Sequence, residues 1–147
     1  MQIKNKQKVV LDGRKLRVGI VTARFNQDIT KKLTAAALRR LAECRVAAKN
    51  ITLVSVAGSM EIPYALQKLA RSKRYDCLVA LGCVVRGETA HFDYVCKTAQ
   101  EGVLRVSLDY AIPIGFGVIT VNSLAQAEAR GHLGADAVSA AVELALL

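Results

Sequence analysis

Cys77-Leu78-Val79-Ala80-Leu81-Gly82-Cys83-Val84-Val85-Arg86-Gly87-Glu88-Thr89-Ala90-His91 is the stretch on which the architecture turns. From Cys77 to Val85 it is apolar or small, rich in β-branched residues, and without polar alternation. Such a run fits a strand covered on both faces, as strands of parallel sheets are. Arg86-Gly87-Glu88-Thr89 ends it abruptly. Beyond His91, apolar residues recur at Phe92, Val95, Cys96, Ala99, Val103 and Val106, which is helical spacing.

The same alternation extends in both directions. Leu16–Thr22, Ile51–Val56 and Ile112–Thr120 are further short apolar runs and are expected to be strands of the same kind. Ile29, Leu33, Ala37, Leu41 and Cys44 mark one intervening helix, and Ile62, Ala65, Leu66, Leu69 and Ala70 another. After the last strand come Leu124–Arg130 and then Ala137, Val138, Ala141, Val142 and Ala145. A break is expected between these two pieces at Gly131–Gly134, because glycine disfavours helix interiors. Strand–helix alternation with short connections predicts an open, four-stranded parallel α/β sheet with helices on both faces. One domain is expected over residues 1–147, with 1–14 as an N-terminal arm. Val9–Leu11 is the arm's one apolar group, too short to be buried alone, and is expected to add as an edge strand to another sheet.

With 147 residues, 52% of them apolar, the chain can bury a substantial core and is not a disordered tail. No apolar run approaches the ~18 residues of a spanning helix, so no membrane association is expected. Met1–Lys8 is polar and basic, and no apolar segment of the secretory kind follows it. The four cysteines (Cys44, Cys77, Cys83, Cys96) form no CxxC pair, which points to a reducing, cytoplasmic setting. With two scattered histidines, His91 and His132, they provide no metal-ligand spacing. The net charge of +9 is spread along the chain among few aromatics. That pattern fits an anionic small substrate better than a nucleic acid, which calls for a basic stripe interleaved with stacking rings.

In open parallel sheets, ligands bind beyond the carboxyl ends of the strands. Four segments fall there. Phe25, in Thr22–Asn26, either stacks a flat heterocycle or covers the edge of the core. In Gly58-Ser59-Met60-Glu61-Ile62-Pro63, Ser59 and Glu61 either meet a polyol or serve the following helix as cap and dipole partner. In Arg86–His91 the strand gives way to a helix start whose free amides suit an anion. His91 stands there as a proton-transfer group or as an exposed first-turn residue. The segment is not a P-loop, since GxxxxGK[ST] is absent. In the fourth segment Phe116 either packs or faces a ligand. Arg130, on the following helix, is either solvated or a bidentate clamp for phosphate.

Taken together, the Phe25-Asn26 pair, Gly58-Ser59-x-Glu61-Ile62-Pro63, Gly82–His91, Phe116-Gly117-Val118 and Gln126…Arg130 resemble the lumazine synthase family over Val18 to about Leu144. The resemblance implies a flavodoxin-like three-layer α/β/α sandwich. It implies an enzyme that condenses 5-amino-6-(D-ribitylamino)uracil with 3,4-dihydroxy-2-butanone 4-phosphate, releasing phosphate and water, with no metal or cofactor. Phe25 and the adjacent Asn26 would face the pyrimidine, with Phe25 stacked on its ring. Ser59, Glu61 and the Met60 backbone would hold the ribityl chain. Cys83, Val84 and Val85 would offer backbone contacts to the ring. Gly87, Glu88, Thr89 and Arg130 would bind phosphate. His91, with Arg130, would serve catalysis by moving protons, and Phe116 would come from a neighbouring subunit.

The resemblance further implies a homo-oligomer, a pentamer or an assembly of pentamers, with the N-terminal strand paired to a neighbour. One departure is visible. Many members carry a lysine and a glycine-rich insertion after the arginine, whereas Arg130-Gly131-His132-Leu133-Gly134-Ala135-Asp136 is short and lacks lysine, as in a compact form with Ala135 where a basic residue would stand. The alternatives are an archaeal-type riboflavin synthase and a non-catalytic flavin or lumazine carrier. The Arg86–His91 turn speaks against the former, whose substrates carry no phosphate.

Overall fold

A computed structural model describes residues 10–147. In chain order it forms β1 (Val18–Ala23), α1 (Gln27–Glu43), β2 (Ile51–Val56), α2 (Ile62–Arg71), β3 (Cys77–Val85), α3 (His91–Asp109), β4 (Ile114–Val121), α4 (Leu124–Glu128) and α5 (Leu133–Ala145). The four strands make one parallel sheet in the order β2-β1-β3-β4. On one face Val18, Ile20, Val79 and Leu81 pack with Ile29, Leu33 and Leu41 of α1 and Val138 and Val142 of α5. On the other, Val21, Leu78 and Ala80 meet Ile62 and Leu66 of α2 and Val103 and Val106 of α3. The result is the flavodoxin-like three-layer α/β/α sandwich.

Burial separates the strands by position. β3 is buried over all but its last residue, and β1 over all but Thr22. β2 is not covered on both faces as its hydrophobicity suggests: Thr52, Leu53 and Ser55 are exposed. It lies at the edge of the sheet with a partner on one side only among the described residues.

Two strands begin later than their apolar runs. Leu16 is buried, but its N–H closes a turn on the Gly13 carbonyl, and Arg17 donates its N–H to Asp76 Oδ2 at 2.7 Å. Ile112 donates to the Ser107 carbonyl at the end of α3, so pairing with β3 starts at Ile114. At the N-terminus, Val9 lies outside the described residues. Val10 and Leu11 are in irregular backbone, Val10 exposed and Leu11 buried against the α1–α5 layer, so no strand is seen there.

The break after α4 falls at residues 129–132, and Gly134 belongs to the first turn of α5. Its glycine answers packing, not a helix stop. A Cβ at 134 would collide with the Leu33 carbonyl oxygen of α1. One at Gly115 of β4 would collide with that of Ala137. These two contacts let α5 settle close to both its neighbours. No helix among the described residues is long and apolar enough to cross a membrane.

Candidate active site

The chain leaves β1 through α1 to one neighbour, β2, and returns to the other, β3, by way of α2 on the opposite face. The loops after β1 and β3 therefore diverge to opposite faces of the sheet, leaving a crevice at their carboxyl ends. A cleft of about 470 Å³ opens here. Its walls come from the loops after β1, β2 and β3 and from the first turns of α3.

Phe25 supplies one wall. The β1–β2 ladder continues past the strands, with the Arg24 and Phe25 N–H groups donating to the Val56 and Ala57 carbonyls at 2.8 and 2.9 Å. That extension fixes the backbone while leaving the ring 71% exposed in the cleft. An aromatic face so placed covers no core. The adjacent Asn26 turns away to another task. It adopts a left-handed conformation (φ 59°) at the start of α1, one that asparagine tolerates better than most residues. Its Nδ2 donates to the Cys83 carbonyl at 2.9 Å, tying the loop after β1 to strand β3.

Ser59, Met60 and Glu61 form a single 3₁₀ turn ahead of α2 and line the cleft floor. Glu61 Oε2 accepts from the Gly58 N–H at 3.0 Å, so this carboxylate does take the capping role. Ser59 does not. It is 6% exposed, makes no cap hydrogen bond, and faces Gly82, where a Cβ would stand 2.6 Å from its hydroxyl.

The third wall holds Val84, Val85, Gly87, Thr89 and His91. His91 is the first residue of α3, exposed, its backbone N–H directed at Thr89 Oγ1 at 3.4 Å. Glu88 is exposed beside the cleft and does not line it. Cys83 is 2% exposed in the α1–α5 layer, and burial pushes its thiol up to about 11. It is a neutral packing group at physiological pH, and its carbonyl is already engaged by Asn26. Phe92 and Val95 complete the wall, two residues that the sequence marks only as apolar positions of a helix. Helical spacing is the available signal for Val95, four positions after His91 and three after Phe92, and so on the same side of α3 as each.

Phe116 and Arg130 are elsewhere. They line a separate cleft of about 350 Å³ between β4 and α5, with Asp136 and Ala140 among its other residues. Phe116 is 44% exposed, and Arg130 Nη1 donates to the Gln126 carbonyl at 2.8 Å. Within one chain, then, the candidate residues that line a cleft fall into two groups: Phe25, Ser59–Glu61, Val84, Val85, Gly87, Thr89 and His91 in one, Phe116 and Arg130 in another, while Asn26, Cys83 and Glu88 line neither.

The sequence also matches known proteins. The family model described as 6,7-dimethyl-8-ribityllumazine synthase matches residues 15–147. Among curated proteins of that name, one from a Polaromonas species is 49% identical over 138 residues, 93% of this chain and 90% of the relative. Those from Verminephrobacter eiseniae and Albidiferax ferrireducens are each 51% identical over 93% of this chain, covering 90% and 88% of their own lengths. With a family match over nearly its whole length and relatives at about half identity, the chain belongs to the 6,7-dimethyl-8-ribityllumazine synthase family.

Proposed function

We propose that this transferase condenses 5-amino-6-(D-ribitylamino)uracil with 3,4-dihydroxy-2-butanone 4-phosphate to 6,7-dimethyl-8-ribityllumazine, the penultimate step of riboflavin biosynthesis. Phosphate and water are released. Family membership favours this over the archaeal-type riboflavin synthase and carrier readings. The observation that carries it is the composition of the larger cleft: an exposed aromatic ring on one side, a histidine beside an amide-rich turn on the other.

In this reading Phe25 stacks the pyrimidine, and Val84 and Val85 flank it with backbone polar groups. Ser59, the Met60 backbone and Glu61 hold the ribityl chain, with Glu61 exchanging its bond to the Gly58 N–H for a sugar hydroxyl. The Gly87–Thr89 amides take the phosphate, where the start of a long helix favours an anion. His91 moves protons during imine formation and phosphate loss. Holding both substrates in one cleft removes much of the entropic barrier to their meeting, worth up to about 7–11 kcal/mol in well-oriented cases.

Arg130 and Phe116 belong to the same reaction through a second copy of the chain. The support is that within one subunit both line a different cleft from the one that holds His91. A homo-oligomer whose neighbours bring the smaller cleft against the larger unites the two groups. The number five rests on the family resemblance. Among the described residues the outer edge of β2 has no strand beside it, which makes it a receptor of the right kind for a neighbour's N-terminal segment, since its backbone groups need partners. Residues 1–147 form a single catalytic domain in this reading, with 1–14 as its N-terminal arm. The four unpaired cysteines support a reducing, cytoplasmic setting.

Mixing the protein with both substrates tests the proposal. Lumazine and phosphate appearing in equal amounts is the expected result. Riboflavin formed from lumazine alone, or ligand binding without turnover, overturns it.

A further inference from the structure

We propose that Arg86 is a positioning residue for the condensation: it holds the first turn of α3, and with it His91, against the end of β4. The inference rests on the reading of the cleft given above. Arg86 does not line that cleft. Instead its side chain makes three contacts around the loop that carries the Gly87–Thr89 turn. The guanidinium carbon lies 4.4 Å from the centroid of the Phe92 ring. Nε donates to Asn122 Oδ1 at 2.9 Å. Nη1 stands 3.7 Å from Asp93. Phe92 and Asp93 directly follow His91, and Phe92 itself walls the cleft. The backbone reinforces the link, since the Arg86 N–H donates to the Val121 carbonyl at 2.9 Å.

Asn122 is fixed in turn, its N–H bound to Gln126 Oε1 at 2.8 Å. The anchor therefore stands on the β4–α4 junction, outside the loop it steadies. Of the three contacts, the ion pair with Asp93 weighs least, because both partners are about half exposed or more and such pairs are largely screened. The cation–π contact with Phe92 and the Nε bond to Asn122 do the orienting, and together they need an arginine. A lysine can set a charge over the ring but cannot at the same time present a planar donor edge to Asn122. Residues 87–90 make no regular structure between β3 and α3. The anchor therefore acts where the chain passes from irregular backbone into the helix that begins with His91.

The test compares Arg86→Met, Arg86→Lys, Asn122→Ala and Asn122→Asp with the unaltered protein. We expect kcat to fall roughly ten- to a hundredfold in Arg86→Met, the scale on which small misplacements act. Affinity for the ribitylaminouracil should stay within about twofold, because Phe25 and Ser59–Glu61 are untouched. Asn122→Ala should reproduce part of the loss, Asn122→Asp should restore it by keeping the acceptor, and Arg86→Lys should rescue incompletely. The Asn122 pair keeps the test decisive should Arg86→Met fold poorly. The chain has only two histidines, so imidazole NMR reads His91 without turnover; its signals should shift in Arg86→Met while those of His132 stay. An unchanged kcat and unchanged His91 signals overturn the proposal. So does a parallel loss of kcat, pyrimidine affinity and thermal stability that Asn122→Asp does not restore. If the unaltered protein makes no lumazine, the function is wrong, and the NMR comparison still decides the role of Arg86.

Discussion

His91 takes the first position of a nineteen-residue helix and stays open to the cleft. Nothing in its surroundings buries it, so its replacement should act on turnover and leave folding alone. His91→Ala is expected to slow the reaction by about ten- to a thousandfold, the range of one general acid or base, with an unaltered melting temperature. Steady-state rates with both substrates saturating check this. Arg130→Ala should weaken the phosphorylated substrate by about 1.5–3 kcal/mol, the usual worth of a hydrogen bond to a charged group, and spare the pyrimidine. Calorimetric titration with each substrate separately decides it, and equal losses for both would make Arg130 structural. The residues that sequence reading grouped as one site illustrate its reach. Phe25, Ser59, Glu61 and His91 each sit just after a strand, a position that chain order alone reveals. That Asn26 Nδ2 donates to the Cys83 carbonyl was not legible. Such a contact joins residues 57 positions apart and leaves no periodic trace.

At the scale of elements, hydrophobic runs gave two strands, β2 and β3, with the observed limits, and all four in parallel. Sheet order is not written in those runs, and neither is the exposure of β2, because an edge strand and a central one can have the same composition. Glycine carried information that a helix-propensity argument misread. Gly134 lies inside α5 because the Leu33 carbonyl leaves no room for a side chain, and Gly115 meets the backbone of the same helix at Ala137. Both obstacles are backbone atoms, which cannot swing aside. Gly115→Ala and Gly134→Ala are therefore each expected to destabilise the fold by about 1–3 kcal/mol or more, as overpacking does. Denaturant unfolding measures this. Gly87→Ala is the control, since nothing lies within 4 Å of the position a Cβ would take there.

For the whole molecule, the prediction concerns assembly. The full chain should run as a homo-oligomer, with five subunits or a multiple of five, and a form lacking residues 1–13 should dissociate or assemble less tightly. Light scattering of the two forms gives the answer, and an active monomer would end the idea of shared sites. The separation of the two clefts on one chain has a consequence of its own, one of inheritance between subunits. Where each site takes His91 from one copy and Arg130 from the next, a His91→Ala subunit and an Arg130→Ala subunit carry lesions in opposite halves. Refolded together in equal amounts, the two crippled proteins should recover activity that neither has alone. In a closed head-to-tail ring, about a quarter of the junctions pair two intact halves, so about a quarter of normal turnover should return. Each defective subunit would then lend its neighbour the half it still has, and function would belong to the junctions between chains.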